Sequence, residues 1–266
     1  MDGKEHTMAY EEDFDAEWYL DTYYEPSLEA VDKDEFLQFT LDSLHDAFRT
    51  ARVTGSRLLD VGTGPTVHSV ISGSQHVGEI YLSDYAAQNR KVLTDWWKLG
   101  TRPQTGIMEY VLRRENSDES VINRQDDMRQ KVRGILAIDV HLEHPLGSEY
   151  GSEYFDVIIS SLCLEVASQS IGEYRKAMKN VCGLLKPGGH LILVGLCGQS
   201  YYRVGEQTFS SLPLKRHQAE EVLEDLGHTL LSMRWIKTQD SVLSDTKGAF
   251  VIVTRAGSTT KTLLRT

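Results

Sequence analysis

The stretch Arg57-Leu58-Leu59-Asp60-Val61-Gly62-Thr63-Gly64-Pro65-Thr66 passes directly from an apolar run into two glycines. A short apolar run bounded by turn residues reads as a buried strand. Glycines at 62 and 64 let the backbone turn sharply and approach a ligand with no side chain between. Outward from this stretch the pattern repeats. A run at 79–83 ends at Asp84, another at 134–138 ends at Asp139, and a fourth at 154–159 ends at Ser160-Ser161. Lys186-Pro187-Gly188-Gly189 introduces a fifth at 190–194. Helical spacing falls between the runs. Leu37, Leu41, Leu44 and Phe48 follow Asp34 as one apolar face, and helices are also expected at 88–98, near 124–132, at 171–185 and at 215–226. The rest of 100–133 is polar with little periodicity, and a loop follows the fifth strand. Strands alternating with helices imply a parallel sheet with right-handed crossovers. The last runs, 229–236 and 248–254, are joined by too short a polar loop for a crossover, which predicts an antiparallel hairpin. The expected fold is α/β: a doubly wound, mostly parallel seven-stranded sheet closed by that hairpin.

In such a sheet ligands bind beyond the carboxyl ends of the strands. Asp60-Val-Gly-Thr-Gly64, Asp84-Tyr85, Asp139-Val140 and Ser160-Ser161 all fall there. Asp84 lies 20 residues beyond Gly64, a position from which a carboxylate binds both hydroxyls of a ribose. A nicotinamide dinucleotide site shares these features but expects a third glycine, in G-x-G-x-x-G, where this chain has Val67. A ligand without phosphates needs no such cradle, and S-adenosylmethionine is one. Asp139 then has a role at the adenine, and the Lys-Pro-Gly-Gly turn is a further mark of methyltransferases.

At 266 residues, with 40% hydrophobic and 25% charged residues, the chain suits a single domain spanning 1–266. A net charge of -11 argues against nucleic acid or an anionic membrane as partner. The N-terminus, 1–14, is acidic and lacks an apolar export core, and no run approaches the ~20 apolar residues of a membrane span. The three cysteines, Cys163, Cys182 and Cys197, show no metal or disulfide spacing, and His141 and His144 lack the partners of a ligand set. A cytoplasmic monomer without a metal is expected, with a tyrosine-rich segment at 1–30 and a frayed tail at 257–266.

The chain resembles the small-molecule N-methyltransferases that include the nicotinamide, phenylethanolamine and indolethylamine enzymes. The segments that carry the resemblance are Trp18-Tyr-Leu-Asp-Thr-Tyr-Tyr24, Leu58 to Thr66, Ser83-Asp-Tyr85, Asn89-Arg90, Ile138-Asp-Val-His141, Leu162-Cys-Leu-Glu165 and Tyr201 to Leu214. The resemblance implies a class I methyltransferase domain that uses S-adenosylmethionine and releases S-adenosylhomocysteine. It also implies a helical lid over the cofactor from residues 1–30, with Tyr19 and Tyr24 in contact. Gly62, Thr63, Gly64, Thr66 and His68 would surround the methionine part. Asp84, Tyr85 and Asn89 would hold the ribose, Asp139 and Val140 the adenine, and Ser161 the adjoining wall. The acceptor pocket would take Tyr10, Glu165, Gln199, Tyr202, Ser211 and Asp245. Ala16-Glu17 stand where the family usually has Pro-Arg, and His68 where it usually has Tyr.

Two carboxylates bear on the acceptor. An alkylamine must lose a proton before its nitrogen attacks, whereas a pyridine nitrogen is already free at neutral pH. Acids matching Glu165 and Asp245 face the amine in the phenylethanolamine-type enzymes, which makes these two the catalytic candidates. A second acid there matches Gln199. The aspartate that binds carboxamide in the nicotinamide enzyme matches Gly195, although its serine is retained as Ser211. The balance favours a small aryl-alkylamine. A pyridine acceptor and a non-catalytic S-adenosylmethionine-binding protein are the alternatives. Taken alone, Glu165 also suits a helix-start carboxylate, Asp245 a solvated turn, and the tyrosines plain aromatic packing.

Overall fold

The computed structural model describes residues 10, 11, 13–24, 27–101, 104–150, 154–238 and 241–257. Most of the expected tail, and residues 1–9, 12, 25 and 26 of the expected lid, lie outside them.

Among the described residues seven strands form one sheet: β1 (Gly55–Val61), β2 (Val77–Asp84), β3 (Val132–Ala137), β4 (Phe155–Ser161), β5 (Leu185–Cys197), β8 (Thr229–Lys237) and β9 (Gly248–Arg255). Their order is β3-β2-β1-β4-β5-β9-β8. The first five run parallel, and β9 inserts antiparallel between β5 and β8. Alternate residues of β1 explain the two-sided core. Leu58 packs with one apolar layer and Leu59 and Val61 with the other, all fully buried. A parallel strand covered on both faces must be apolar on both.

Helices fill both layers. On one side α3 (Glu35–Arg49) buries Leu37, Leu41, Leu44 and Phe48 at the expected spacing, and the Asp34 carboxylate caps it by accepting from Leu37 N at 2.9 Å. Ahead of it lie α1 (Ala16–Tyr23) and the single turn α2 (Leu28–Val31). After β2 comes α4 (Ala87–Leu99), closed by Gly100 in the left-handed region. On the opposite side α7 (Ile171–Cys182) and α8 (Arg216–Asp225) cover β4, β5 and β9.

The structure departs from the sequence reading twice. Between α4 and β3 there are two helices, α5 (Thr105–Glu115) and α6 (Val121–Lys131), rather than one. The apolar stripe of α5 is short: Ile107, Met108, Val111 and Leu112 sit among charged flanks yet are buried. The second departure follows β5. Where a loop was expected, β6 (Tyr201–Val204) and β7 (Gln207–Ser210) pair as a hairpin through a two-residue turn, with Gly205 at φ +59°.

Arg124 of α6 locks α5 and α6 together. Its side chain is 2% exposed, and it donates to Glu115 Oε2 at 2.7 Å and Glu119 Oε2 at 2.8 Å. Removing one partner of a buried pair strands the others. Because both glutamates keep some solvent contact, Arg124→Met is expected to lower unfolding free energy by about 2–4 kcal/mol. Urea unfolding checks this; a loss under about 0.5 kcal/mol would show that the pair holds nothing.

Candidate active site

A cavity of about 600 Å³ opens beyond the carboxyl ends of the parallel strands. Its floor is the turn after β1. Gly62 is at φ +69°, and a Cβ there would lie 2.4 Å from Cys163 Sγ, so the turn and the loop after β4 pack without room for a side chain. Gly64, at φ +65°, faces open space. Thr63 stitches this turn to β2: its N–H donates to Ser83 O at 2.8 Å, and its Oγ1 accepts from Ser83 N at 3.2 Å.

Asp84, at the end of β2, is 3% exposed and lines the cavity. Its Oδ2 accepts from Gly64 N at 2.8 Å, and its Oδ1 accepts from Ala86 N at 2.9 Å and Asn89 Nδ2 at 3.1 Å. Burial raises its pKa, and those donors pull it back. Asn89 does not reach the wall expected of it. It is fully buried behind Asp84 and orients the carboxylate instead. Asp139, Val140, Tyr85 and Ser161 line the cavity as expected. Asp139 Oδ1 accepts from His141 N at 2.9 Å, which fixes the turn after β3. Ser161 Oγ has no hydrogen-bond partner among the described residues. Leu162, next in the chain, is held at φ +56°, a conformation costly for a side chain of its kind, and lines the wall.

Thr66 and His68 reach the cavity from the same turn. Thr66 Oγ1 donates to Gln104 Oε1 at 2.7 Å. The His68 ring lies 4.8 Å from that of Tyr24, and burial pulls its pKa down to about 4, which leaves it neutral. Gln104 and Asp60 have structural roles that the sequence did not reveal. Asp60 is buried beneath the turn, accepts from Ser69 Oγ at 2.5 Å, and is pushed up to about 7 by burial.

The roof is aromatic. Tyr10, Phe14, Tyr19, Tyr23, Tyr24 and Tyr202 line it, with neighbouring rings such as Tyr10–Phe14 and Phe14–Tyr19 at 4.8 and 5.1 Å. Asp15 caps α1, and the Gln88 amide donates to Glu11 O at 2.6 Å and Phe14 O at 3.3 Å. Ala16, where the resembling family has Pro, is buried, and Glu17 is exposed.

At the acceptor end the expected residues separate. Gln199 and Tyr202 line the cavity; Ser211, Glu165 and Asp245 do not. Glu165 is 1% exposed, with Oε1 accepting from Leu196 N at 2.9 Å and Oε2 without a partner among the described residues. Burial pushes it up to about 7. Leu196 stands at the wall in its place. Asp245 is turned away: Oδ1 accepts from Ser200 N at 2.8 Å and Tyr201 N at 3.3 Å, and Oδ2 from Ser200 Oγ at 2.7 Å. Slight burial opposes ionisation, but these donors outweigh it and hold the carboxyl below its usual range. The expectation that both acids face one cavity is therefore corrected, because backbone groups nearby already engage them. Gly195 is covered as well, since a Cβ there would lie 2.4 Å from the Phe250 ring. Among the described residues no group of three or more His, Cys, Asp or Glu side chains converges as a metal site requires, and no helix is long and apolar enough to cross a membrane.

The model of the NNMT/PNMT/TEMT family matches residues 4–257. Nicotinamide N-methyltransferase of Homo sapiens is 32% identical over 252 residues, covering 93% of this chain and 94% of the relative. Phenylethanolamine N-methyltransferase of Macaca mulatta is 31% identical over 197 residues, covering 73% and 70%. In fold, an S-adenosylmethionine-dependent methyltransferase from Clostridium acetobutylicum superposes with a TM-score of 0.52 at 12% identity, covering 90% of this chain and 96% of that one. A buried carboxylate at the end of β2, an open glycine turn and a family match across nearly the whole sequence lead to one conclusion: the chain belongs to the NNMT/PNMT/TEMT family and is an S-adenosylmethionine-dependent small-molecule N-methyltransferase.

Proposed function

We propose that the methyl acceptor is a small primary or secondary aryl-alkylamine. The observation that carries this reading is Gly195 beneath Phe250. That position has neither a side chain to hold a carboxamide nor room for one. The wall supports it too, with aromatic rings from Tyr23, Phe36 and Tyr202 and an acidic residue, Asp34. Rings accept the aryl group, and a net charge of -11 favours a cation.

When bound, S-adenosylmethionine supplies an electrophilic methyl group and a thioether leaving group. Asp84 would accept from its ribose hydroxyls, while Tyr85, with Asp139 and Val140, would border the adenosine and Ser161 would close the adjoining wall. Gly62, Thr63, Gly64, Thr66 and His68, with Tyr19 and Tyr24, would surround the methionine part. At the acceptor end the protein aligns the amine, excludes water and takes a proton. Glu165, with its pKa raised to about 7 by burial, has one oxygen without a partner for that proton and receives it through a bridging water, because its own side chain does not line the cavity. Gln199 and Tyr202 contact the acceptor directly, and Tyr10 closes the space above them.

Four measurements follow. Asp84→Asn is expected to weaken S-adenosylhomocysteine binding by about 2–3 kcal/mol in calorimetry; unchanged affinity removes the ribose assignment. Glu165→Gln should lower kcat/KM for amines roughly ten- to a thousand-fold, with cofactor affinity retained. Glu165 also has a stability signature. Its folded pKa is raised from 4.5 to about 7, so the stabilisation from its protonated form is complete below about 4.5 and is lost as pH rises to about 7. Wild type should therefore lose ground to Glu165→Gln by about 3 kcal/mol across that window, and parallel profiles would show Glu165 titrating normally. The acceptor itself is tested with radiolabelled S-adenosylmethionine and a panel of phenylethanolamines, indolethylamines, imidazole amines and nicotinamide. Amines should be preferred, with rates rising toward alkaline pH as free amine accumulates. Nicotinamide turned over faster than every amine would replace this reading with a pyridine acceptor.

A further inference from the structure

The carboxylate of Asp245 joins two segments that meet over the acceptor end of the cavity. One is the loop between β8 and β9, which carries Leu243, Ser244 and Thr246 into the wall. The other is the β6–β7 hairpin with the residues before it, which carries Gln199 and Tyr202 there. Asp245 accepts three hydrogen bonds from Ser200 and Tyr201 at 2.7–3.3 Å. Around it the segments are stitched further. Tyr202 bridges Ser244, Arg203 N donates to Leu243 O at 2.9 Å, and Gln199 Nε2 donates to Thr246 Oγ1 at 2.7 Å. The carbonyl of Arg203 accepts from the Tyr23 hydroxyl at 2.9 Å, so the hairpin in turn holds the end of α1. The fastening thus runs from the β8–β9 loop through the hairpin to the roof.

We propose that Asp245 is a positioning residue: it fastens the β6–β7 hairpin, and through Tyr23 the N-terminal roof, over the methyl acceptor. It acts on the acceptor through Gln199 and Tyr202 and binds no amine itself. The proposal rests on the reading that the hairpin end of the cavity takes the acceptor. A carboxylate that accepts from two backbone N–H groups and a hydroxyl is held by geometry as much as by charge. Asparagine keeps an accepting oxygen for the backbone donors, and alanine keeps none. A charge contact to an ammonium behaves otherwise, since asparagine and alanine both abolish it.

The test compares Asp245→Ala, Asp245→Asn and Ser200→Ala with wild type by amide hydrogen exchange, and by kinetics with two probes, phenylethylamine and nicotinamide. Exchange across residues 200–204 should speed up roughly ten-fold in Asp245→Ala, with a smaller rise at residues 19–23, and Asp245→Asn should recover most of the protection. Ser200→Ala should loosen the same residues by a few-fold. KM for whichever probe is turned over should rise roughly three- to thirty-fold in Asp245→Ala, while S-adenosylhomocysteine affinity changes by less than about three-fold. Where both probes react, they should suffer alike. The proposal is overturned if hairpin exchange is unchanged in Asp245→Ala, or if both Asp245 variants raise KM equally for phenylethylamine alone. A preference for nicotinamide in wild type would overturn the amine reading and leave the clasp standing; unchanged exchange would remove the clasp and leave the amine reading untouched.

Discussion

Asp84 ends β2 with a carboxylate out of bulk water, in a position that only its donors make tenable. Gly64 N–H and Ala86 N–H grip it from two turns, and the Asn89 amide fixes it from α4. Burying a charge without such partners costs several kcal/mol. The turn after β1 must therefore follow a path that points Gly64 N–H at the neighbouring strand, and this demands the left-handed backbone at both glycines. The same turn presents Thr66 and His68 to the cavity. Ser83 and Thr63 bond the two strand ends together, so the carboxylate and the glycine turn form one unit.

From that unit the roof can be understood. The aromatic segment from Tyr10 to Tyr24 has little core of its own, and its rings pack onto Phe209 and Tyr202 of the hairpin while Gln88 ties its backbone to α4. It covers a cavity whose floor is the glycine turn after β1 and whose far wall is the hairpin. One layer thus touches the neighbourhood of both expected ligands. In a methyl transfer the sulfonium and the acceptor nitrogen must be aligned and dry together, which a shared cover favours.

The parts of this arrangement written locally in the chain were legible there. The run Leu58 to Val61 with its glycines, the carboxylates closing β2 and β3, and the spacing from Leu37 to Phe48 all describe neighbours within one element. Helix α5 escaped notice because a single turn and a half of apolar residues lies between polar flanks. The β6–β7 hairpin was hidden in a segment whose turn, Gly205-Glu206, is short and whose strands have four residues each. The acids were a different matter. Residue type and resemblance place Glu165 and Asp245 at the acceptor, but where a carboxylate points depends on the donors that surround it. Ser200 lies 45 positions from Asp245 and Leu196 lies 31 from Glu165, distances over which only the folded chain decides the pairing. Gln104, whose partner Thr66 lies 38 positions away, was missed for the same reason.

The central claim is that a carboxylate held by the glycine turn positions the adenosyl group so that the reacting sulfur faces the hairpin end of one covered cavity. The structure of this chain in complex with S-adenosylhomocysteine measures it most directly. The expected result places both ribose hydroxyls within hydrogen-bond distance of the Asp84 carboxylate, the adenine beside Asp139 and Val140, and the sulfur directed toward Gln199 and Tyr202. A ligand bound away from Asp84, or with its sulfur turned from the hairpin, would contradict it.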